Sequence, residues 1–285
     1  MPELPYTLLD VFTSTPLEGN GLAVVHDADG VGDDVMLRFA IETRLSETTF
    51  VQTATVDGAD YRNRIWMMTG ELPFAGHPSL GTAVAIARAR GENEVTYRQQ
   101  TGAGVQSIDV RREGDVWEAS MLQEPAQFLG EVDVEQALRV IGLETTAAHP
   151  ELRPEVVSTG LQQLMLPLAS AAELAGAVPD YDEIATLLEP FGAVCVYAFT
   201  LDESVNGGVR ARAFANSAQV GEDPATGSAA GPLCAYLQKH AGATEITIAQ
   251  GVEMGRPSVL EASVEGDRVR VGGAVVPVID GSLHL

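Results

Sequence analysis

Cysteine is scarce in this chain, bases are outnumbered, and no apolar run is long. Two cysteines, Cys195 and Cys234, cannot form a disulfide framework in 285 residues, so reduced thiols and a cytoplasmic location are expected. Although 45% of residues are apolar, no stretch is long enough to span a bilayer. The N-terminal string Met1-Pro2-Glu3-Leu4-Pro5 lacks the basic and hydrophobic regions of an export signal. With 40 acids against 17 bases the net charge is −23, which argues against nucleic acid or an anionic membrane as partner. The five histidines (His26, His77, His149, His240, His284) are scattered and supply no metal-ligand pair. No phosphate loop or dinucleotide fingerprint follows a strand. Gly227-Ser228-Ala229-Ala230-Gly231 fails the spacing of a nucleophile elbow. No metal and no cofactor are therefore expected.

What is present is a short motif written twice. His77-Pro78-Ser79-Leu80-Gly81-Thr82-Ala83 follows Gly76, and Asp223-Pro224-Ala225-Thr226-Gly227-Ser228-Ala229 follows Gly221-Glu222. Each opens a segment that is apolar nearly all round, the pattern of a buried helix. Proline after the head residue suits the first helical position, so His77 and Asp223 are expected at N-caps, with helices starting at Pro78 and Pro224. Histidine is a poor N-cap and aspartate a good one, so His77 is better explained by a ligand, whereas Asp223 is equally explained by capping. The unpaired N–H groups of two such helix starts form a site for a small anion.

The rest of the chain mixes strands and helices. Strands are predicted at 8–13, 22–25, 48–55, 61–68, 95–100, 105–111 and 117–122, with a helix over Asp33–Leu45. Further on come helices at 133–141 and 181–188, and strands at 156–158, 163–168, 194–201, 209–215, 246–249, 259–264 and 268–271. Gln123 to Asp133 is the best boundary, giving an N-terminal lobe over 1–122 and a C-terminal lobe over 123–285, the last strand being able to rejoin the first lobe. The expected fold class is α+β: two pseudo-symmetric lobes, each a curved, mostly antiparallel sheet wrapped around one buried helix.

Three strings resemble the phenazine-biosynthesis PhzF-like family: Leu45-Ser46-Glu47-Thr48-Thr49-Phe50-Val51, Glu71-Leu72-Pro73-Phe74-Ala75-Gly76-His77-Pro78 and Gly221-Glu222-Asp223-Pro224-Ala225-Thr226-Gly227-Ser228. Gln100-Thr101-Gly102-Ala103-Gly104 and Met254-Gly255-Arg256-Pro257-Ser258 extend the likeness over most of the chain. The resemblance implies a diaminopimelate epimerase-like fold and a cofactor-independent isomerase of a small, cyclic unsaturated carboxylic acid. It implies that Glu47 shuttles a proton in the interlobe cleft while His77 and Asp223 hold or polarise the ring's polar groups. A carboxyl in an apolar cleft has its pKa raised and can exchange a proton near neutral pH. Gly76, Gly227 and Ser228 are the expected substrate-binding positions. A small anionic substrate and a second copy of the chain are the expected partners. Related amino-acid epimerases carry a thiol in each lobe at the head positions, so two-thiol racemisation is not expected here. A non-thiol epimerase and a catalytically silent ligand-binding or interaction protein of the same fold are the alternatives. Where the family places proline after Gly19-Asn20, this chain has Gly21, which predicts a looser loop.

Overall fold

The computed structural model describes residues 3–202 and 208–285. Met1 and Pro2, the head of the string read for an export signal, lie outside the described residues. The chain divides into two compact units, the first comprising Met1–Leu122 with Gly272–Leu285 and the second Gln123–Val271.

Unit one contains β1 (Glu3–Val11), β2 (Asn20–Val25), α1 (Asp33–Thr43), β3 (Glu47–Gln52), β4 (Tyr61–Met67), β5 (Gly70–Leu72), α2 (Gly76–Arg90), β6 (Glu94–Thr101), β7 (Gly104–Glu113) and β8 (Val116–Leu122). Unit two contains β9 (Gln127–Glu131), α3 (Val134–Arg139), β10 (Glu155–Ser158), β11 (Gln162–Pro167), α4 (Ala171–Gly176), α5 (Tyr181–Leu188), β12 (Cys195–Leu201), β13 (Gly208–Ala215), β14 (Glu222–Asp223), α6 (Gly227–Ala241), β15 (Glu245–Gln250) and β16 (Ser258–Glu265). The last strand, β17 (Arg268–His284), begins in unit two and ends in unit one.

In unit one β1 pairs antiparallel with β2, β2 parallel with β3, and β3 antiparallel with β4. β4 then runs antiparallel to β5 and parallel to β6, which leads through β7 to β8. β17 pairs with both β8 and β1, so the strands close into a ring. Helix α2 packs against seven strands of this ring and is buried from Gly76 to Ala87. An unbroken apolar or small surface all round is what such a position demands. On the other face α1 buries Met36 and Ala40 against Val25, Phe50 and Trp66.

Unit two repeats the pairing scheme. β10 and β11 are antiparallel, β11 and β12 parallel, β12 and β13 antiparallel, β13 and β14 antiparallel, β13 and β15 parallel, β15 and β16 antiparallel. Helix α6 packs on β10, β11, β15 and β16 and is buried from Ala229 to Leu237. Helices α3, α4 and α5 cover the outer face through Leu138, Leu174, Ile184 and Leu188.

The predicted elements are present with shifted ends; among the described residues the prediction lacks β5, β9, α4, β14 and two short 3-10 turns, Thr145–Ala147 and Glu189–Phe191. β5 and β14 span only three and two residues, too short for any periodicity to show. β17 runs thirteen residues beyond the predicted 268–271. Its glycines look like a strand end, yet a Cβ on Gly272 would lie 2.7 Å from Ser120 Cβ and 2.8 Å from Ala119 O. That glycine lets β17 pass close to β8 and continue. Where a looser loop is expected at Gly21 there is a strand: Asn20 and Gly21 are buried in β2, opposite Val11 and Asp10.

Candidate active site

Both expected N-caps are corrected by the structure. The N-cap of α2 is Ala75, and Gly76, His77 and Pro78 are its first three helical residues. Pro78 is tolerated there because first-turn N–H groups have no intrahelical partner in any case. The N-cap of α6 is Thr226, three residues after Asp223, which belongs to β14. Neither Ala75 nor Thr226 makes a side-chain cap hydrogen bond, so neither helix's first-turn amides are satisfied by its own N-cap.

In unit one Glu47 opens β3, whose parallel register sets it beside Leu22 of β2. His77 is buried, and its Nε2 lies 3.3 Å from Glu47 Oε2; the two side chains are 6% and 13% exposed. On the other side of the ring Asn20 Nδ2 stands 3.4 Å from Nδ1. An amide nitrogen only donates, so Nδ1 is the acceptor and the imidazole proton sits on Nε2, facing the glutamate. Burial lowers the His77 pKa to about 3, so the ring is neutral at physiological pH. Beneath the same helix start Gln99 Nε2 donates to Ser79 Oγ (2.6 Å), and Ser79 Oγ donates to Ala75 O (2.7 Å).

In unit two the half-buried Asp223 accepts a 2.6 Å hydrogen bond at Oδ2 from Thr226 Oγ1. Gln250 fixes that loop: its Nε2 donates to Asp223 O (2.7 Å) and Thr226 Oγ1 (3.0 Å), and its Oε1 accepts from Thr226 N and Tyr197 OH. Ser228, the second residue of α6, accepts from Gln163 Nε2 at 3.3 Å, and the Gly227 carbonyl accepts from Gln123 Nε2 at 2.9 Å. Glu47 is thus brought to His77, and Asp223 to the α6 start with Gly227 and Ser228. Asn20, Thr226, Gln163 and Gln250 escaped the sequence reading. Asn20 and Thr226 lie in motifs quoted for other residues, and Gln163 is an amide entering an apolar strand, Gln163-Leu164-Met165-Leu166.

Strand pairing also corrects the repeat. Opposite β4, Leu72 faces Ile65; opposite β13, Asp223 faces Ala213. Arg64 makes a two-pronged pair with Glu71 and lies over Trp66; Arg212 does the same with Glu222 and Phe214. Gly102 abuts Pro73 as Gly251 abuts Pro224. The equivalent strings are therefore Glu71-Leu72-Pro73-Phe74-Ala75-Gly76-His77 and Glu222-Asp223-Pro224-Ala225-Thr226-Gly227-Ser228. The counterpart of His77 is Ser228, and that of Asp223 is Leu72.

Both thiols are buried. Cys195 opens β12 in the register position that Glu47 holds in β3. Burial, with the Asp223 carboxylate as a smaller cause, raises its pKa. Burial pushes Cys234 up to about 12. Neither is a ready thiolate. Among the described residues no three His, Cys, Asp or Glu side chains are grouped to hold a metal, and no helix is long and apolar enough to cross a membrane.

The profile of the phenazine biosynthesis-like (PhzC-PhzF) family matches residues 9–281. The chain belongs to that family. A trans-2,3-dihydro-3-hydroxyanthranilate isomerase of Pseudomonas aeruginosa is 35% identical over 95% of this chain and 94% of its own. A solved structure described as a predicted epimerase from the same organism is 33% identical, with a TM-score of 0.87 over 99% of each chain. A hydroxyproline epimerase of Agrobacterium vitis shares the fold at a TM-score of 0.63 and 11% identity, over 99% of this chain and 91% of its own. This PhzF-family chain is an enzyme of the isomerase class.

Proposed function

We propose that the chain is a cofactor-independent isomerase that moves a proton between carbons of a small, cyclic unsaturated carboxylic acid, with Glu47 as the proton carrier. The reading is carried by one observation: the Glu47 carboxyl group lies 3.3 Å from an imidazole that is neutral over the physiological range. A cationic histidine at that distance would hold Glu47 as its carboxylate. A neutral ring facing the group leaves it able to accept a proton from one carbon and return it to another. The step needs no redox partner, since one C–H bond breaks, another forms and the double bond shifts between them.

Asp223, with Gly76, Gly227 and Ser228, is assigned to substrate binding. The acid's carboxylate suits helix-start amides that no side chain caps, in an enzyme whose net charge would otherwise repel it. The dihydro-hydroxyanthranilate named for the Pseudomonas relative belongs to this substrate class.

The test is turnover of such a ring acid in D₂O. Wild type should place solvent deuterium on the product carbon. Glu47→Gln should bind the acid and neither turn it over nor exchange. Wild-type exchange in the variant would assign the proton to another group.

A further inference from the structure

Gln163 is an anomaly in unit two. It is fully buried, and its register partner on β12 is Cys195. The corresponding position in unit one, beside Glu47, is Leu22, also fully buried. One strand thus has an amide where its counterpart has a hydrocarbon. The amide is only half used. Nε2 donates to Ser228 Oγ in the first turn of α6, while Oε1 has no hydrogen-bond partner among the described residues. Turning the amide over would only exchange the two ends, still leaving one of them unpaired beside Ser228. The neighbouring buried amide shows no such gap, since Gln123 gives its nitrogen to the Gly227 carbonyl and its oxygen to Thr159 Oγ1. Buried polar atoms are retained unpaired where something else completes them.

We propose that Gln163 is a substrate-positioning residue, its Oε1 accepting a hydrogen bond from an amino or hydroxyl group of the ring acid at the start of α6. The assignment rests on the isomerase reading above and adds the reason for selectivity. A site built around an unpaired acceptor favours a ring acid carrying a donor over one that lacks it. Ser228 is half-buried and the helix start is uncapped, so carboxylate and donor are recognised by adjacent groups of one unit.

The experiment is calorimetric titration of the full chain with 3-hydroxyanthranilate, which carries two donors, and with benzoate, which carries none. Wild type should bind the first about tenfold more tightly. Gln163→Met, of similar volume and apolar like Leu22, should bring the ratio close to one while leaving the melting temperature unchanged or raised. Gln163→Glu, which keeps an acceptor oxygen, should retain the preference. A preference that survives Gln163→Met, or a wild type that binds both acids equally, overturns the Gln163 assignment and leaves the isomerase reading standing. A wild type that binds neither acid rejects the ring-acid reading, and this proposal with it. Should Gln163→Met not fold, Gln163→Leu and the wild-type ratio decide the matter.

Discussion

Unit one and unit two use one frame, Glu-x-Pro-x-x-Gly, to start a buried helix, and fill it with opposite chemistry. In unit one the equivalent positions carry Glu47, His77, Leu72 and Leu22; in unit two they carry Cys195, Ser228, Asp223 and Gln163. The first set holds an acid–base pair against apolar neighbours. The second holds short hydrogen-bonding groups, tied down by Gln250 and Gln123. The frame itself, with its arginine–glutamate pair, its arginine over an aromatic ring and its glycine against proline, is common to both. The proposed function reads this pattern as a division of labour, a proton carried at one helix start and polar groups recognised at the other. The strongest test of that division is to perturb equivalent positions and compare.

The largest contrast should be catalytic. Glu47→Gln should lower kcat by about 10²–10⁴-fold, the range for a general acid–base group. Cys195→Ala, at the matching register position, should change it less than about threefold, because a buried thiol with a raised pKa stays protonated and transfers no proton near neutrality. Steady-state kinetics on a ring acid decides between them; equal losses would dissolve the distinction.

Next comes the shared ion pair. Arg212 is buried and its Nη1 also donates to the carbonyls of Leu174 and Ala177, so Arg212→Ala strands Glu222 and two buried acceptors. A loss of about 3–5 kcal/mol is expected. Arg64 is equally buried, but its partners Glu71 and Asp33 are 37% and 73% exposed and can be hydrated, so Arg64→Ala should lose about 1 kcal/mol. Urea midpoints of the two variants give the comparison. The glycine–proline contact should follow. A Cβ on Gly251 would sit 2.3 Å from Arg256 O and 2.6 Å from Pro224 O at φ +74°, so Gly251→Ala should destabilise by about 2–4 kcal/mol. Gly102 has no positive φ and meets Pro73 Cα at 2.9 Å; its alanine should lose about 1 kcal/mol.

Much of this was legible in the residues themselves. The apolar helices, the strands and α5 over Tyr181–Leu188 follow from periodicity, because each buries one face or all of its surface. Glu47 and His77 were both legible as candidates, but their 3.3 Å approach was not. The register of the repeat was not legible. His77-Pro78 and Asp223-Pro224 look alike because both are a polar residue before proline, whereas the true anchors are cross-strand pairs: Glu71 to Arg64 and Glu222 to Arg212. A local match could not outrank contacts that only the folded strands create. Gln163 escaped for the same reason, since its meaning depends on Leu22 being its counterpart.

The last effect, which is absent at neutral pH and grows only on acidification, belongs to His77, and its sign follows from burial. In the folded chain its pKa is lowered to about 3; in the unfolded chain it returns to the ordinary value near 6.5. Between those limits the unfolded state binds a proton that the native state does not. The stability due to the neutral ring is complete above pH 6.5 and is lost progressively as the pH falls toward 3. At about 1.4 kcal/mol per pH unit, roughly 2 kcal/mol should disappear between pH 6.5 and pH 5. His26 and His149, also lowered by burial, add to the slope in the same direction. Comparing wild type with His77→Gln by urea unfolding at pH 7, 6 and 5 isolates the His77 part, because the variant keeps the other two. A shallower slope in the variant is expected. Parallel slopes would mean that His77 takes up a proton in the folded enzyme, and a charged imidazole beside Glu47 would remove the reason for giving the proton to the glutamate.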